Sequence, residues 1–144
     1  MQQREKLRNE NLQDWIDLHI IFQDVLEVMQ KLNKDNRVYI ATLKDAESVQ
    51  LILESRNLKI PDAHILDYSK ISTKLEALNY FVNYNKLDKS SLIFLDDNIN
   101  HLIEPRKAGF DVFLTFWCNQ VSEFKSVAES HNIPLLNNIK ELNL

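Results

Sequence analysis

The chain has 144 residues, a formal net charge of -4 and a single cysteine, Cys118. Its hydrophobic fraction of 44% and charged fraction of 26% are typical of one globular domain with a sizeable core. The acidic balance argues against nucleic-acid and membrane-surface partners, and one cysteine excludes a disulfide framework or a cysteine-based zinc cluster. No apolar run reaches the ~18 residues that a membrane span needs, and the first residues lack a signal-peptide core. We therefore expect a cytoplasmic protein with no nucleic-acid or membrane partner.

Glycine is scarce in this sequence, which contains only Gly109. Loops that bind the phosphates of NAD, FAD or ATP use several glycines, because their backbone amides must approach phosphate closely. These nucleotide-binding classes therefore fit the chain poorly.

The predicted elements alternate between helices and strands. Apolar residues recur at helical spacing in some segments and form short, β-branched runs in others. Thr73 and Glu76 have the spacing of a capping box, which starts a helix, and Gly109 is placed to end one as a left-handed cap. In chain order the pattern predicts a helix over 18–32, a strand over 37–42, a helix over 45–56, a strand over 63–66, a helix beginning at 73, a strand over 92–95, a helix over 98–108, a strand over 111–115, a helix over 121–131 and an extended piece over 133–136.

This alternation favours parallel βαβ units with right-handed crossovers. We therefore predict an α/β fold, a Rossmann-like three-layer sandwich with a mainly parallel sheet. Residues 1–17 are rich in polar and charged side chains, and we predict that they form a lead before one domain over residues 18–144. No Gly/Pro/Ser-rich linker or internal repeat indicates a second domain.

Two adjacent carboxylates, Asp96 and Asp97, directly follow the apolar run of the strand predicted over 92–95. Carboxylates at the end of a buried strand are costly unless positive charge lies nearby, and in an open α/β sheet this end is where ligands bind. A hard divalent cation such as Mg²⁺ takes carboxylate oxygens. The sequence therefore predicts Asp96 and Asp97 as metal ligands.

Thr42 and Lys74 are the other candidate site residues, at the end of one predicted strand and at the start of the helix after the next. Because the carboxyl ends of parallel strands meet at one edge, we expect the hydroxyl, the ammonium and the carboxylates to converge there. That set suits a phosphate group, whose charge a metal would help to neutralise. Each residue also has an ordinary alternative: a turn cap for Thr42, solvated surface for Lys74, and helix capping for the acids.

The same residues resemble motifs of the haloacid dehalogenase-like phosphohydrolase superfamily. The segments 93–98 (IFLDDN) and 105–110 (PRKAGF) are similar to its fourth motif and the helix after it, and 39–44 (YIATLK) is similar to its second motif. Lys74 takes the place of the third motif by its spacing. The resemblance covers roughly residues 18–142, and Leu43 departs from the second motif, where a smaller or polar residue is common.

The resemblance implies a role for each candidate residue. Thr42 would hydrogen-bond the transferring phosphoryl group, and Lys74 would steady that group and the nucleophile. Asp96, together with Asp97, would bind Mg²⁺ directly or through water. The implied activity is hydrolysis of a phosphorylated small molecule, in which positioning and charge neutralisation do most of the work.

The chain departs from the superfamily in its nucleophile. That family uses the first aspartate of an Asp-x-Asp motif as nucleophile and the second as acid/base, and this chain has no Asp-x-Asp. Asp14 and Asp17 are three residues apart, which fits a solvated helix face better. A start inside what would be the cap region, with residues 1–17 as its remnant, accounts for a missing first strand and nucleophile. We therefore expect no covalent phosphoryl transfer by the chain alone.

Several alternatives remain open. The chain is a fragment, a split subunit that needs a segment supplying Asp-x-Asp, or a non-catalytic binding domain. A missing strand would leave a sheet edge that a protein partner or self-association would cover. A phosphorelay receiver fits less well, because there the acidic pair precedes the Thr and Lys.

Other residue types give weaker signals. The aromatic residues Phe110, Phe113, Phe116 and Trp117 are read mainly as core, with a partner surface as the alternative. The four histidines lack metal spacing and Cys118 lacks an adjacent base, so none of them receives a catalytic role.

Overall fold

A computed structural model describes residues 11–13, 22–117 and 120–144. The chain divides into two compact units, residues 1–67 and 68–144. Some features of the sequence prediction lie wholly or largely outside the described residues. These are the lead over residues 1–17, the first turn of the predicted first helix, His19 and Cys118.

The first unit contains two helices and a short parallel sheet among its described residues. Helix α1 spans Gln23–Asn33, strand β1 Ile40–Ala41, helix α2 Ala46–Glu54 and strand β2 Ile65–Leu66. The two strands pair in parallel, with Ile40 opposite Ile65. Buried apolar residues from both helices, from β2 and from the loops form its core, namely Leu26, Val38, Leu53, Leu58, Ile60 and Ile65.

The second unit is a three-stranded parallel sheet with helices between its strands. Its elements are helix α3 (Lys74–Tyr84), strand β3 (Ile93–Asp96), helix α4 (Ile103–Lys107), strand β4 (Asp111–Thr115), helix α5 (Ser122–Ser130) and strand β5 (Leu135–Leu136). The strand order is β3-β4-β5, and both pairings are parallel. Its core is formed by Leu78, Phe94, Ile99, Leu102, Phe110, Val112, Leu114, Ala128 and Ile133.

The α/β class and the parallel pairing agree with the sequence prediction. Strand β4 has the predicted bounds, and Gly109 ends the preceding helix with a φ of 88°, as a left-handed cap requires. The described strands form a two-stranded and a three-stranded sheet, where one mainly parallel sheet is predicted.

The helix predicted over 98–108 is instead a 3₁₀ turn, Ile99–His101, followed by the short α4. Pro105 explains the break. It has no N–H to donate to the carbonyl of His101, and its ring crowds that carbonyl in a continuous helix. The helical hydrogen bonds resume one residue later, where the Arg106 N–H donates to the Leu102 carbonyl at 2.9 Å.

Among the described residues, no helix combines the length and the apolar character needed to cross a membrane.

Candidate functional site

Asp96 is the last residue of β3, and its side chain is 8% exposed. Its Oδ1 accepts a hydrogen bond from the backbone N–H of Asn98 at 2.8 Å, so the turn that leaves the strand fixes one oxygen of the carboxylate. Asn98, and not Asp96, caps the following 3₁₀ turn by accepting from the Asn100 N–H. The other oxygen of Asp96 is thus left for side chains.

Lys74 is the first residue of α3, which begins as the capping box predicts. The hydroxyl of Thr73 accepts a hydrogen bond from the N–H of Glu76 at 3.1 Å. A cation here faces the positive end of the helix dipole, which is an unfavourable position for a lysine. The Lys74 side chain is nevertheless only 11% exposed, so its interpretation as solvated surface is wrong.

Lys74 and Asp96 form an ion pair at the carboxyl end of β3. The Nζ of Lys74 lies 3.6 Å from Oδ2 of Asp96. The same oxygen also lies 3.1 Å from Nδ1 of His101. The positive charge that a buried strand-end carboxylate requires is therefore supplied from within the chain, by a lysine at the start of α3.

His101 is a member of this cluster that sequence reasoning missed. It lies at the end of the 3₁₀ turn, which folds the chain back so that a residue five positions after Asp96 contacts its carboxylate. Its side chain is 30% exposed, so the ring reaches solvent. The only sequence signal is the pair of asparagines, Asn98 and Asn100, which indicates a tight turn and not the usual amphipathic helix.

Asp97 differs from its neighbour because its side chain is exposed and no hydrogen bond or ion pair joins it to another described residue. Within the part of the chain that the structure describes, no three His, Cys, Asp or Glu side chains form a group that could hold a metal ion. Mg²⁺ commonly needs only one or two carboxylates beside water and substrate phosphate, so the carboxylates of Asp96 and Asp97 suit it chemically. In Asp96, however, both oxygens already have protein partners.

Thr42 belongs to the first unit, where it follows β1. Its N–H donates to the carbonyl of Leu66 at 2.9 Å, and its Oγ1 accepts from the N–H of Lys44 at the same distance. The hydroxyl therefore caps a turn, the ordinary structural role expected of a threonine after a strand. The buried carboxylate of Asp67, after β2, accepts a hydrogen bond at 2.9 Å from the N–H of Ala46, the first residue of α2, whose N-cap is Asp45.

The aromatic residues around β4 pack largely as core, which agrees with the main interpretation of the sequence. Phe110 is 1% exposed and belongs to the core of the second unit, against which the half-buried Phe116 packs. Phe113 and Trp117 are also half-buried.

Glu76 is a second charged group near the start of α3. Its carboxylate accepts hydrogen bonds from the N–H and the hydroxyl of Ser72, at 3.0 and 2.8 Å. The hydrogen bond from the Ser72 backbone, followed by that from its side chain, holds the pKa of Glu76 below its ordinary value. This carboxylate therefore remains charged at neutral pH and secures the loop from which Lys74 projects.

Comparison with protein-family models, with curated proteins and with solved structures finds no match to this chain.

Proposed function

We propose that the chain is a haloacid dehalogenase-like α/β domain that keeps a phosphate-binding and Mg²⁺-binding half-site but lacks the nucleophile. In this proposal Lys74 binds the oxygens of a phosphorylated small molecule. Asp97, together with Asp96, would hold Mg²⁺ directly or through water, and the metal would neutralise phosphate charge. We further propose a cytoplasmic location, which the single cysteine supports.

The observation that carries the proposal is the ion pair between Lys74 and Asp96. Both charged groups are costly to bury. The Lys74 ammonium, at a helix N-terminus, is 11% exposed, and the Asp96 carboxylate, at a strand end, is 8% exposed. Their position at the carboxyl end of a parallel strand is where α/β proteins bind ligands. A purely structural surface pair would be more exposed, as Lys107 and Glu104 are, at 60% and 67%.

The proposal makes the chain inactive alone, because it contains no Asp-x-Asp motif to supply the nucleophile. The experiment is hydrolysis of p-nitrophenyl phosphate by the purified chain, with and without Mg²⁺, beside the Asp96→Asn variant. We expect no turnover above that of the variant. Mg²⁺-dependent turnover that the variant loses would contradict the missing nucleophile.

A second candidate function is a protein-interaction domain on the same fold. Strand β3 pairs with β4 on one side, and no strand among the described residues pairs with its other side. Ile93, at the start of this edge strand, is 40% exposed. An apolar strand edge of this kind is a place where another chain adds a strand.

The two candidates are separated by Ile93→Lys, which adds charge to the edge without touching Lys74 or Asp96. If the edge pairs with a second copy of the chain, sedimentation of the wild-type chain shows an assembly that this variant loses. A wild-type chain that sediments as a monomer would contradict self-association through this edge. A split enzyme would instead gain turnover when a segment containing Asp-x-Asp is added.

A further inference from the structure

His101 carries an inference that goes beyond a reversible phosphate site. Its Nδ1 lies 3.1 Å from Oδ2 of Asp96. A carboxylate accepts hydrogen bonds, so Nδ1 is the donor in this contact. With Nδ1 as the donor, the lone pair available for attack lies on Nε2, the nitrogen that Asp96 does not contact.

We propose that His101 is a phosphoryl acceptor, modified at Nε2 by a small acyl phosphate. This deepens the proposed function, because it depends on phosphate binding at the Lys74 and Asp96 cluster. Histidine is an established type of covalent nucleophile, and a third group that orients the ring is the usual companion of an activated one. Here that group is Asp96, whose other oxygen is in turn fixed by the N–H of Asn98 at 2.8 Å.

The step balances without a further reactant. The Nε2 lone pair forms a bond to phosphorus, the bond from phosphorus to the acyl oxygen breaks, and the electron pair of that bond leaves with the carboxylate product. The ring keeps its Nδ1 proton and gains positive charge beside the Asp96 carboxylate. The Lys74 ammonium, 3.6 Å from the same Oδ2, supplies positive charge for the phosphoryl oxygens.

The other described histidines lack this arrangement. His64 has its Nδ1 3.1 Å from the backbone carbonyl of Val38, and its ring stacks on Tyr39 with centroids 4.0 Å apart. His131 directly follows α5 as its C-cap, and no ion pair joins it to a described carboxylate. Only His101, among the described histidines, therefore combines a carboxylate on Nδ1 with a neighbouring ammonium.

The test is incubation of the full chain with acetyl phosphate, followed by peptide mapping under alkaline conditions, where phosphohistidine survives. We expect one phosphoryl group on His101, lost on brief acid treatment and absent in His101→Asn. His131→Asn is the matched control and should keep the label. Asp96→Asn should label more slowly, because an amide no longer stabilises the charged ring.

The outcomes separate this inference from the proposed function. Reversible binding of inorganic phosphate without a label on His101 would overturn the inference and leave the phosphate site standing. Equal labelling of His64, His101 and His131 would also overturn it, since that would reflect exposure alone. A label on His101 with no reversible phosphate binding would instead remove the proposed phosphate half-site. Because the map of the wild-type chain locates the label, the test does not depend on any variant folding.

Discussion

The ammonium of Lys74 lies 3.6 Å from Oδ2 of Asp96, and both side chains are nearly buried, at 11% and 8% exposed. The two residues are 22 positions apart in sequence and meet because one starts α3 and the other ends β3. The pair therefore has a structural and a proposed functional role. The ammonium and the carboxylate stabilise each other, and they are also the groups that would bind phosphate and metal.

Breaking this pair should destabilise the protein. Lys74→Met keeps the length of the side chain and removes its charge, which leaves the Asp96 carboxylate with His101 and the Asn98 N–H alone. We expect a loss of about 1–3 kcal/mol in the free energy of unfolding, measured in urea. The Lys74→Met, Asp96→Asn double variant should lose less than the sum of the two single variants.

The exposed pair of Lys107 and Glu104, with 3.5 Å between Nζ and Oε1, is the matched control. Lys107→Met should change stability by no more than about 0.5 kcal/mol, because solvent screens the pair. Equal losses at Lys74 and Lys107 would contradict the view that burial makes the first pair strong.

Asp97→Asn should separate ligand binding from stability. The carboxylate is exposed, so we expect its removal to change the free energy of unfolding by less than about 0.5 kcal/mol. The same variant should weaken the Mg²⁺ dependence of phosphate binding, measured by calorimetry with and without the metal. Unchanged Mg²⁺ dependence in a folded variant would remove Asp97 from the proposed metal site.

Gly109→Ala should be destabilising through the backbone alone. At a φ of 88° an L-residue is strained, whereas a Cβ built there would meet only Nζ and Cε of Lys89, at ordinary distances of 3.5 and 3.7 Å. We expect a loss of about 1–2 kcal/mol in urea unfolding. A neutral result would show that the turn after α4 adopts another conformation.

The pKa of Glu76, lowered mainly by the backbone N–H of Ser72, predicts a pH dependence with a definite sign. Because the folded pKa lies below the unfolded one, the carboxylate stabilises the fold above the unfolded pKa, and this is lost as the pH falls through the folded pKa. Glu76→Gln should therefore be less stable than the wild-type chain at neutral pH, and the gap should close in acid. Urea unfolding of both proteins at several pH values measures this difference in stability. A difference that does not vary with pH would contradict the stabilising role of the Glu76 carboxylate.

Local signals in the sequence predicted much of the fold. Strand β4 and the cap at Gly109 follow from an apolar run and from the one residue that tolerates positive φ without strain. Strand β1 is shorter than predicted, two residues instead of six, because its partner β2 is preceded by the 3₁₀ turn Asp62–His64 and offers only two residues for pairing. Such pairing depends on the partner strand and has no local signal.

The candidate site was predictable only in part. The positions of Lys74 and Asp96 follow from a capping box and a strand end, which local patterns indicate. The contact of His101 with Asp96 depends on a turn that interrupts an expected helix, so periodicity alone does not reveal it. Thr42 lies in the first unit, and its hydroxyl caps a local turn, a role that sequence spacing does not distinguish from phosphate binding.

The central claim is that the second unit binds phosphate at the Lys74 and Asp96 cluster. The most direct measurement is a titration of the ¹⁵N-labelled chain with inorganic phosphate in the presence of Mg²⁺, followed by amide chemical shifts. We predict saturable shifts at the amides of Lys74, Asp97 and Asn98, which Lys74→Met abolishes while the Lys107→Met control keeps them. Saturating phosphate that leaves these amides unmoved, or shifts that survive in Lys74→Met, would contradict the claim.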